Sequence, residues 1–572
     1  MAIKTMIDLT EQIDLQATIA RALPLWRPIL AKECQVYVYE EGYIAKRFDQ
    51  IHYTFCDAGT AKEILIDNLY ALLRFKYFKE TTEEIDDRIS EIIKSFTVNL
   101  KTTLQKLTFD SKTDGVKVSM LPSYCAAFKN GVYNFKTNSW LFKYTVVNLT
   151  NLNNKLYLYD YNYVVLWYFN FDFEPLDIDI NKFSLEEFLE LMKDLEKDNI
   201  KAENRNYCFE LVYNMSHDEL NKFSMKKFIH LCEILGYNMC QEFVQAFVML
   251  IGSGGNGKNS LFDGCFTCNI VPRPTSNSLD DIENDSFISG TLVNHYQNIF
   301  LETSPKTYTE SKNLKNFTGS PFQTINIKGI QKHQSYINCK FTYAANDQEM
   351  VKFSDTTQGF RRRGNFFEVW FSWTADKRFL KTGDYYDTSF SQDLREITSN
   401  LANAIIFVYL GMYGIKLATK NFTSTFNFTE NDWKLQYADV DISVDQSMQN
   451  ISIFKVVDYL KSSTDALENT FFDREGNKLY KSPTMIALGY NSQEKMLKMI
   501  ADDECRTSYF ADNDVFISTK ALYKICGYTK SQFAFTQSLK KIYNLKSIEK
   551  LSNNQAILRC TFVGKKFKLI TI

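Results

Sequence analysis

The chain has 572 residues, a net charge of −2, 45% apolar residues and 23% charged residues. That balance excludes a wholly disordered chain, a collagen-like fibre, a simple coiled coil and a uniformly basic nucleic-acid coat. Length supports roughly three or four domains, and 22 Gly with 9 Pro point to short linkers between them.

Residues 1 to about 235 mix helical and strand signals. Ala61 to Phe78 and Thr81 to Phe96 have helical period, the second with an acidic start. In AAFKNGVYNFKTNSWLF (126–142), Asn130-Gly131 and Thr137-Asn138-Ser139 mark turns between short alternating strands. Phe183 to Glu196 and Lys226 to Leu235 read as helices. From Glu242 to Phe371 the pattern becomes strand, glycine loop, helix, strand, polar stretch, strand, as in an α/β nucleotide-binding core. Asn400 to Lys416 predicts a helix closing that core. Its apolar run, Ala404 to Ile415, is too short for a membrane span of about 20 residues. Residues 430–448 are a polar connector, and 449–572 form a smaller domain. The last 58 residues, from Val515, carry 11 basic groups against the single acid Glu549, a charge of +10.

The N-terminus does not read as a signal peptide. The 12 cysteines lack paired spacing and read as reduced thiols of a cytosolic protein. One close pair, Cys265 and Cys268, has no second pair and no His cluster to complete a zinc site.

The strongest motif is FVMLIGSGGNGKNSL, Phe247 to Leu261. An apolar strand runs into Gly252, Ser253, Gly254, Gly255, Asn256, Gly257 and Lys258, and a helix follows. This is G-x-x-x-x-G-K in the strand–loop–helix setting of a phosphate-binding loop. Glycines let successive N–H groups turn inward toward phosphate oxygens, and the helix N-terminus adds partial positive charge. Lys258 would reach the β and γ phosphates of ATP. Asn259 stands where Ser or Thr usually ligates Mg²⁺; its amide oxygen and the Ser260 hydroxyl are both candidate metal ligands.

Further along, NIFLE (298–302) predicts a buried strand ending in the carboxylate of Glu302, suited to polarise the attacking water or hold the metal's water shell. FTYAAN (341–346) predicts another strand ending in Asn346, which can orient the lytic water against the γ phosphate. Arg361, Arg362 and Arg363 follow, three of only 15 arginines in the chain. Arginine suits planar, multidentate phosphate contact, and supplied from a neighbouring subunit it accelerates other NTPases by about 10³–10⁵.

GSGGNGKNSL, NIFLETS, LKNFTGSPFQTINIKG, FTYAANDQ and SDTTQGFRRRGNFFEVWF, in that order, resemble the superfamily 3 helicases. The resemblance is to the phage and plasmid primase–helicase family with its poxvirus helicase-primase relatives, and it covers residues 125 to 430. AAFKNGVYNFKT and LGYNM extend it upstream of the loop. It implies that Gly252, Gly257 and Lys258 fall on Walker A, Glu302 on Walker B, and Asn346 on the sensor Asn. It places Lys315, Thr318 and Gly319 on the family's LK-x-LTG run, and Arg362 and Arg363 on the paired arginines, one of them the finger. Asn259 departs from the pattern, and so does Pro321, which stands near a usual Asp.

Thr324 to Ile337 (TINIKGIQKHQSYI) predicts a β-hairpin with Lys328, Lys332 and His333 at its tip. Lys332-His333 resembles the Lys-His pair on the channel-facing hairpin of papillomavirus and polyomavirus helicases. The basic tail orders strand, helix, helix, strand, strand. That fits a winged helix whose second helix is a candidate DNA reader. Asp177-Ile-Asp179 with His217 has a primase-like look, but too little chain surrounds it for a primase domain.

These readings predict an α/β, AAA+-like P-loop ATPase core at 236–430. A mostly helical N-terminal collar for oligomerisation precedes it at 1–235, and a winged-helix-like basic domain follows at 431–572. The expected activity is that of a replicative DNA helicase using ATP and Mg²⁺ on single-stranded and forked DNA in phage- or plasmid-type replication. The expected form is a ring, a hexamer by family resemblance, in the cytoplasm (the host's, for a phage or plasmid protein), with a separate primase and no membrane partner. The alternatives are an ATP-switched initiator or loader without unwinding, and a packaging ATPase.

Overall fold

A computed structural model of the protein describes residues 34–39, 42–72, 107–108, 116–117, 119–148, 155–158, 163–198, 207–252, 255–262, 274–304, 307–309, 311–329, 331–346, 351–355, 357–371, 401–434, 442–462, 468–502, 515–543, 548–550, 556–563 and 566–570, with a few single positions between them. Helices and sheets are mixed throughout, in two units. The first takes its described residues from 34–304, 312–349 and 363–432; the second takes them from 307–311, 351–362 and 433–570.

The first unit opens with an antiparallel sheet of β1 (Val36–Tyr39), β2 (Gly42–Ala45) and β3 (Thr54–Cys56), followed by α1 (Ala58–Leu72). A second antiparallel sheet follows: β4 (Cys125–Phe128), β5 (Gly131–Asn134) and β6 (Ser139–Lys143). The predicted turns join its strands, and Asn138 takes a left-handed φ of 50° in the second. Phe128 stacks on Phe173 at 4.1 Å between ring centroids, and Tyr133, Phe135 and Trp140 crowd the same cluster. Aromatic residues favour pleated, half-buried surfaces. The expected mostly helical collar is therefore corrected: the described residues before 235 are mixed α/β. The predicted helix at Thr81–Phe96 lies almost wholly outside the described residues.

Three helices lead into the core: α2 (Leu185–Asp198), α3 (Tyr207–Met215) and α4 (Met225–Met239). The core sheet contains β7 (Phe247–Gly252), β8 (Pro274–Thr275), β9 (Gln297–Phe300), β12 (Lys340–Ala345) and β13 (Gly364–Val369). Between them come the short helix α5 (Ile288–Leu292) and a hairpin of β10 (Phe322–Ile325) and β11 (His333–Tyr336). Helix α6 (Leu401–Ala418) follows β13 in this numbering and packs on α4.

The core sheet is parallel throughout, in the order β8-β9-β12-β7-β13. Every residue of β7, β12 and β13 is buried, as expected of a parallel sheet covered on both faces. Beyond β13 the chain doubles back as a polar strap. Asp432 N–H donates to the Phe366 carbonyl at 2.8 Å, and the Asn431 side chain accepts from Phe366 N–H and donates to the Gly364 carbonyl. The strap pairs an edge that would otherwise be open. One hydrophobic cluster runs from Tyr37 to Phe428, with no break at residue 235. Among the described residues no helix is long and apolar enough to cross a membrane.

The second unit has its own core, from Val444 to Phe567. Helices α7 (Ile442–Gln449) and α8 (Ile453–Ser462) precede β14 (Phe471–Phe472) and β15 (Val515–Ser518). Then come α9 (Thr519–Cys526), α10 (Gln532–Ile542), β16 (Glu549–Lys550), β17 (Ala556–Val563) and β18 (Lys566–Leu569). Strand β17 pairs antiparallel with β15, β16 and β18.

Candidate functional site

Strand β7 is the point where the core sheet changes direction. The chain leaves it for the far edge, returns through β9 and β12 on one side, and ends in β13 on the other. In open α/β sheets such a point leaves a crevice outside the strand carboxyl ends, where ligands bind. The glycine loop opens into that crevice.

Gly252 ends β7 opposite Val369. A Cβ on Gly252 would lie 2.2 Å from Asn256 Nδ2 and 2.5 Å from the Val369 carbonyl oxygen, so this position takes no side chain. Gly255 and Gly257 have φ of 74° and 85°, and a helix opens at Lys258. Ser253 and Gly254 lie outside the described residues. Lys258 is buried; its ammonium donates to the Gly252 carbonyl at 2.7 Å and to Asn256 Oδ1 at 2.9 Å. Asn256 is buried as well, and its Nδ2 has no hydrogen-bond partner among the described residues. A backbone cradle, a held lysine and an orphaned donor fit a polyphosphate chain.

Register aligns the remaining groups with this loop. Ile251 pairs with Ala345, so Gly252 is level with Asn346; Phe300 pairs with Tyr343, which brings Glu302 to the same edge. Thr303 N–H donates to the Ala344 carbonyl at 2.8 Å and carries the β9 line past its last ladder pair. Glu302 and Asn346 are both exposed. Thr303 Oγ1 is buried without a hydrogen-bond partner among the described residues. The sequence reading missed Thr303, although it follows Glu302 directly in NIFLET. It also missed the hold of Asn256 on Lys258.

Asn259 is exposed and Ser260 half-buried on the first turn after the loop. No group of three or more His, Cys, Asp or Glu able to hold a metal occurs among the described residues. The donors present are instead one carboxylate, one amide and one hydroxyl. Such a set fits Mg²⁺ held chiefly by substrate phosphates and water. Asp179, from the primase-like pair, accepts from Asn181 N–H in a local turn. Cys265 and Cys268 lie outside the described residues.

The arginine run divides. Arg361 Nη2 donates to the Lys541 carbonyl at 3.0 Å within the second unit. Arg362 is exposed. Arg363 lies against Gly319, where a Cβ would come within 3.3 Å of its Nη2. Thr318 is buried, with its hydroxyl on the Leu314 carbonyl at 2.6 Å. The Pro321 carbonyl accepts from Ile337 N–H at 2.7 Å and starts the hairpin.

The hairpin tip lies between Ile325 and His333, with Lys328 and Lys332 exposed and Gly329 at φ 81°. His333 is corrected from the expected tip position. It pairs with Ile325 in the ladder, is half-buried, and its Nδ1 lies 3.2 Å from the Gln331 carbonyl. The extra loop length moves the first ladder pair out to His333. At its base the hairpin is braced by Phe55, which stacks on Tyr336 at 5.3 Å. The Asn294 side chain meets Phe55 N–H and C=O, each at 2.8 Å.

A family of unknown function, DUF5906, matches residues 250–363, the segment that holds the glycine loop, Glu302, Asn346, the arginine run and the hairpin lysines. No curated protein matches the chain. Among solved structures, the A form of the apo NrS-1 C-terminal region matches at 14% identity and a TM-score of 0.40, over 94% of this chain and 99% of that one. Another apo structure of that region gives 14% and 0.36 over 96% and 99%. A JCV helicase bound to a small molecule gives 14% and 0.20, over 42% and 64%.

Proposed function

We propose that this chain is an ATP-driven DNA helicase that works as a ring, a hexamer by family resemblance, in phage- or plasmid-type replication. The observation that carries the reading is the alignment of Gly252, Glu302 and Asn346 on the carboxyl edge of three adjacent parallel strands. A phosphate loop, a carboxylate and an amide at one crevice are the parts needed to bind a nucleoside triphosphate and direct water at its γ phosphate.

On this reading the loop amides and Lys258 grip the phosphates. Glu302 accepts a proton from the attacking water, and Asn346 orients that water. Mg²⁺, when bound, neutralises phosphate charge, and Asn259, Ser260 and Glu302 are its candidate protein contacts. Exposed Arg362 suits a finger reaching a neighbour's nucleotide; Arg363 lies against Gly319. The lysine-bearing hairpin would hold successive phosphates of single-stranded DNA. A separate primase and a cytoplasmic setting complete the proposal.

The test is ATP hydrolysis with and without single-stranded DNA, together with strand displacement on a forked duplex and Lys258→Ala as the blank. DNA-stimulated hydrolysis with displacement is expected. Hydrolysis without displacement, under conditions where the ring forms, would replace this reading with that of an initiator or loader.

A further inference from the structure

Helices α9 and α10 form a helix–turn–helix. Helix α9 stops at Gly527, whose φ of 64° is left-handed and whose N–H bonds back to the Lys524 carbonyl. The turn is locked by the Tyr523 hydroxyl, which donates to the Lys530 carbonyl at 2.7 Å. Helix α10 restarts on Ser531, whose hydroxyl accepts from Ala534 N–H. Phe535, Ser538, Leu539 and Ile542 bury one face of α10.

The opposite face is open. Phe533 and Gln537 are exposed on it beside half-buried Lys540, Gln532 is exposed in the first turn, and Phe533 has 73% of its surface accessible. It is the most exposed of the large apolar side chains among the described residues. It takes no part in the hydrophobic core of this unit among the described residues. Its surroundings are cationic: Lys520, Lys524 and Lys530 are exposed nearby in sequence, within a segment of charge +10. An exposed apolar tip with an amide on the same face, in a segment of charge +10, is complementary to a polyanion with a patterned groove.

We propose that α10 is a major-groove reader of duplex DNA, with Gln532, Phe533 and Gln537 facing A·T base pairs. The N-terminal residues of a second helix in this motif reach base edges. Glutamine pairs bidentately with adenine N6 and N7, and an apolar side chain packs on the thymine methyl. The lysines sit on phosphates and set orientation without reading sequence. This site is independent of the ATPase reading and needs no nucleotide.

The experiment is fluorescence anisotropy with the full chain, without nucleotide, on labelled duplexes of A·T-rich and G·C-rich sequence and on single strands of the same length. The A·T-rich duplex should bind best. Phe533→Ala and Gln537→Ala should each weaken A·T-rich binding about tenfold and leave G·C-rich binding unchanged. Lys524→Ala and Lys530→Ala should weaken all duplexes alike and flatten the salt dependence. Lys258→Ala should bind duplex as the wild type does, so a failed ATPase reading would not touch this result. Equal binding to every duplex, or no effect of Phe533→Ala and Gln537→Ala on duplex binding, would overturn the proposal.

Discussion

Lys258 Nζ lies 2.9 Å from Asn256 Oδ1, so the loop holds its own lysine through a residue two positions earlier. The amide is neutral, so it places the ammonium without cancelling the charge. Asn256→Asp would convert this contact into a buried ion pair and set a negative charge where phosphate should bind. Charge-assisted hydrogen bonds are roughly twice as strong as neutral ones. ATP affinity should fall at least about tenfold by titration calorimetry, with the unfolding midpoint little changed. Unaltered affinity would mean that Lys258 leaves Asn256 without cost.

The hairpin predicts a separation of activities. Lys328 and Lys332 are exposed on the tip, and the base is fixed by the Phe55–Tyr336 stack and the Asn294 clamp. Changing the tip should leave the nucleotide crevice intact. Lys332→Ala with His333→Ala should keep DNA-independent hydrolysis within about twofold and lose strand displacement. Because His333 belongs to the ladder and Lys332 to the tip, Lys328→Ala/Lys332→Ala should be the cleaner pair. Strand displacement that survives both pairs would remove the hairpin from the mechanism.

Helices α4 and α6 touch backbone to backbone. A Cβ on Gly414 would lie 2.0 Å from the Cys232 carbonyl oxygen, and one on Gly236 would lie 2.6 Å from the Gly411 carbonyl oxygen. Glycine usually weakens a helix relative to alanine by about 1 kcal/mol. Here the order reverses: Gly414→Ala must push two helices apart and should cost about 1–3 kcal/mol or more, as overpacking does. Gly59→Ala is the control, since Gly59 is exposed in the first turn of α1 and its Cβ would meet only Asp57 Oδ1, at 3.3 Å. Urea midpoints should fall for the first variant and hold or rise for the second.

The parts of the site that could be read from sequence are those where an apolar run ends in one informative residue. FVMLI ending in glycine, NIFLE ending in Glu302 and FTYAA ending in Asn346 each mark a strand and its exit. Their adjacency could not be read, because nothing local in FVMLI states that its neighbours are FTYAA and NFFEV. The structure supplies that through the ladder. The strands at 126–142 were legible because Asn130-Gly131 and Thr137-Asn138-Ser139 punctuate them, and Asn138 takes the left-handed φ of 50° in its turn. His333 was misplaced by a register that only the pairing with Ile325 reveals.

Glu233 on α4 gives a pH prediction with a definite sign. Its carboxylate is buried and accepts from Thr429 N–H at 3.0 Å and from the Thr429 hydroxyl at 2.6 Å. Burial dominates these bonds and pushes the carboxyl from its ordinary 4.5 up to about 7. The folded chain therefore holds a proton here that the unfolded chain releases. Stability from this group is complete below pH 4.5, declines as pH rises toward 7, and is gone above it. Across that window the loss is on the order of 1–3 kcal/mol. Glu233→Gln keeps the shape and cannot ionise. Its unfolding midpoint should exceed that of the wild type at pH 8 and meet it near pH 4.5. Parallel pH profiles for the two proteins would mean that Glu233 stays ionised in the fold, held by Thr429.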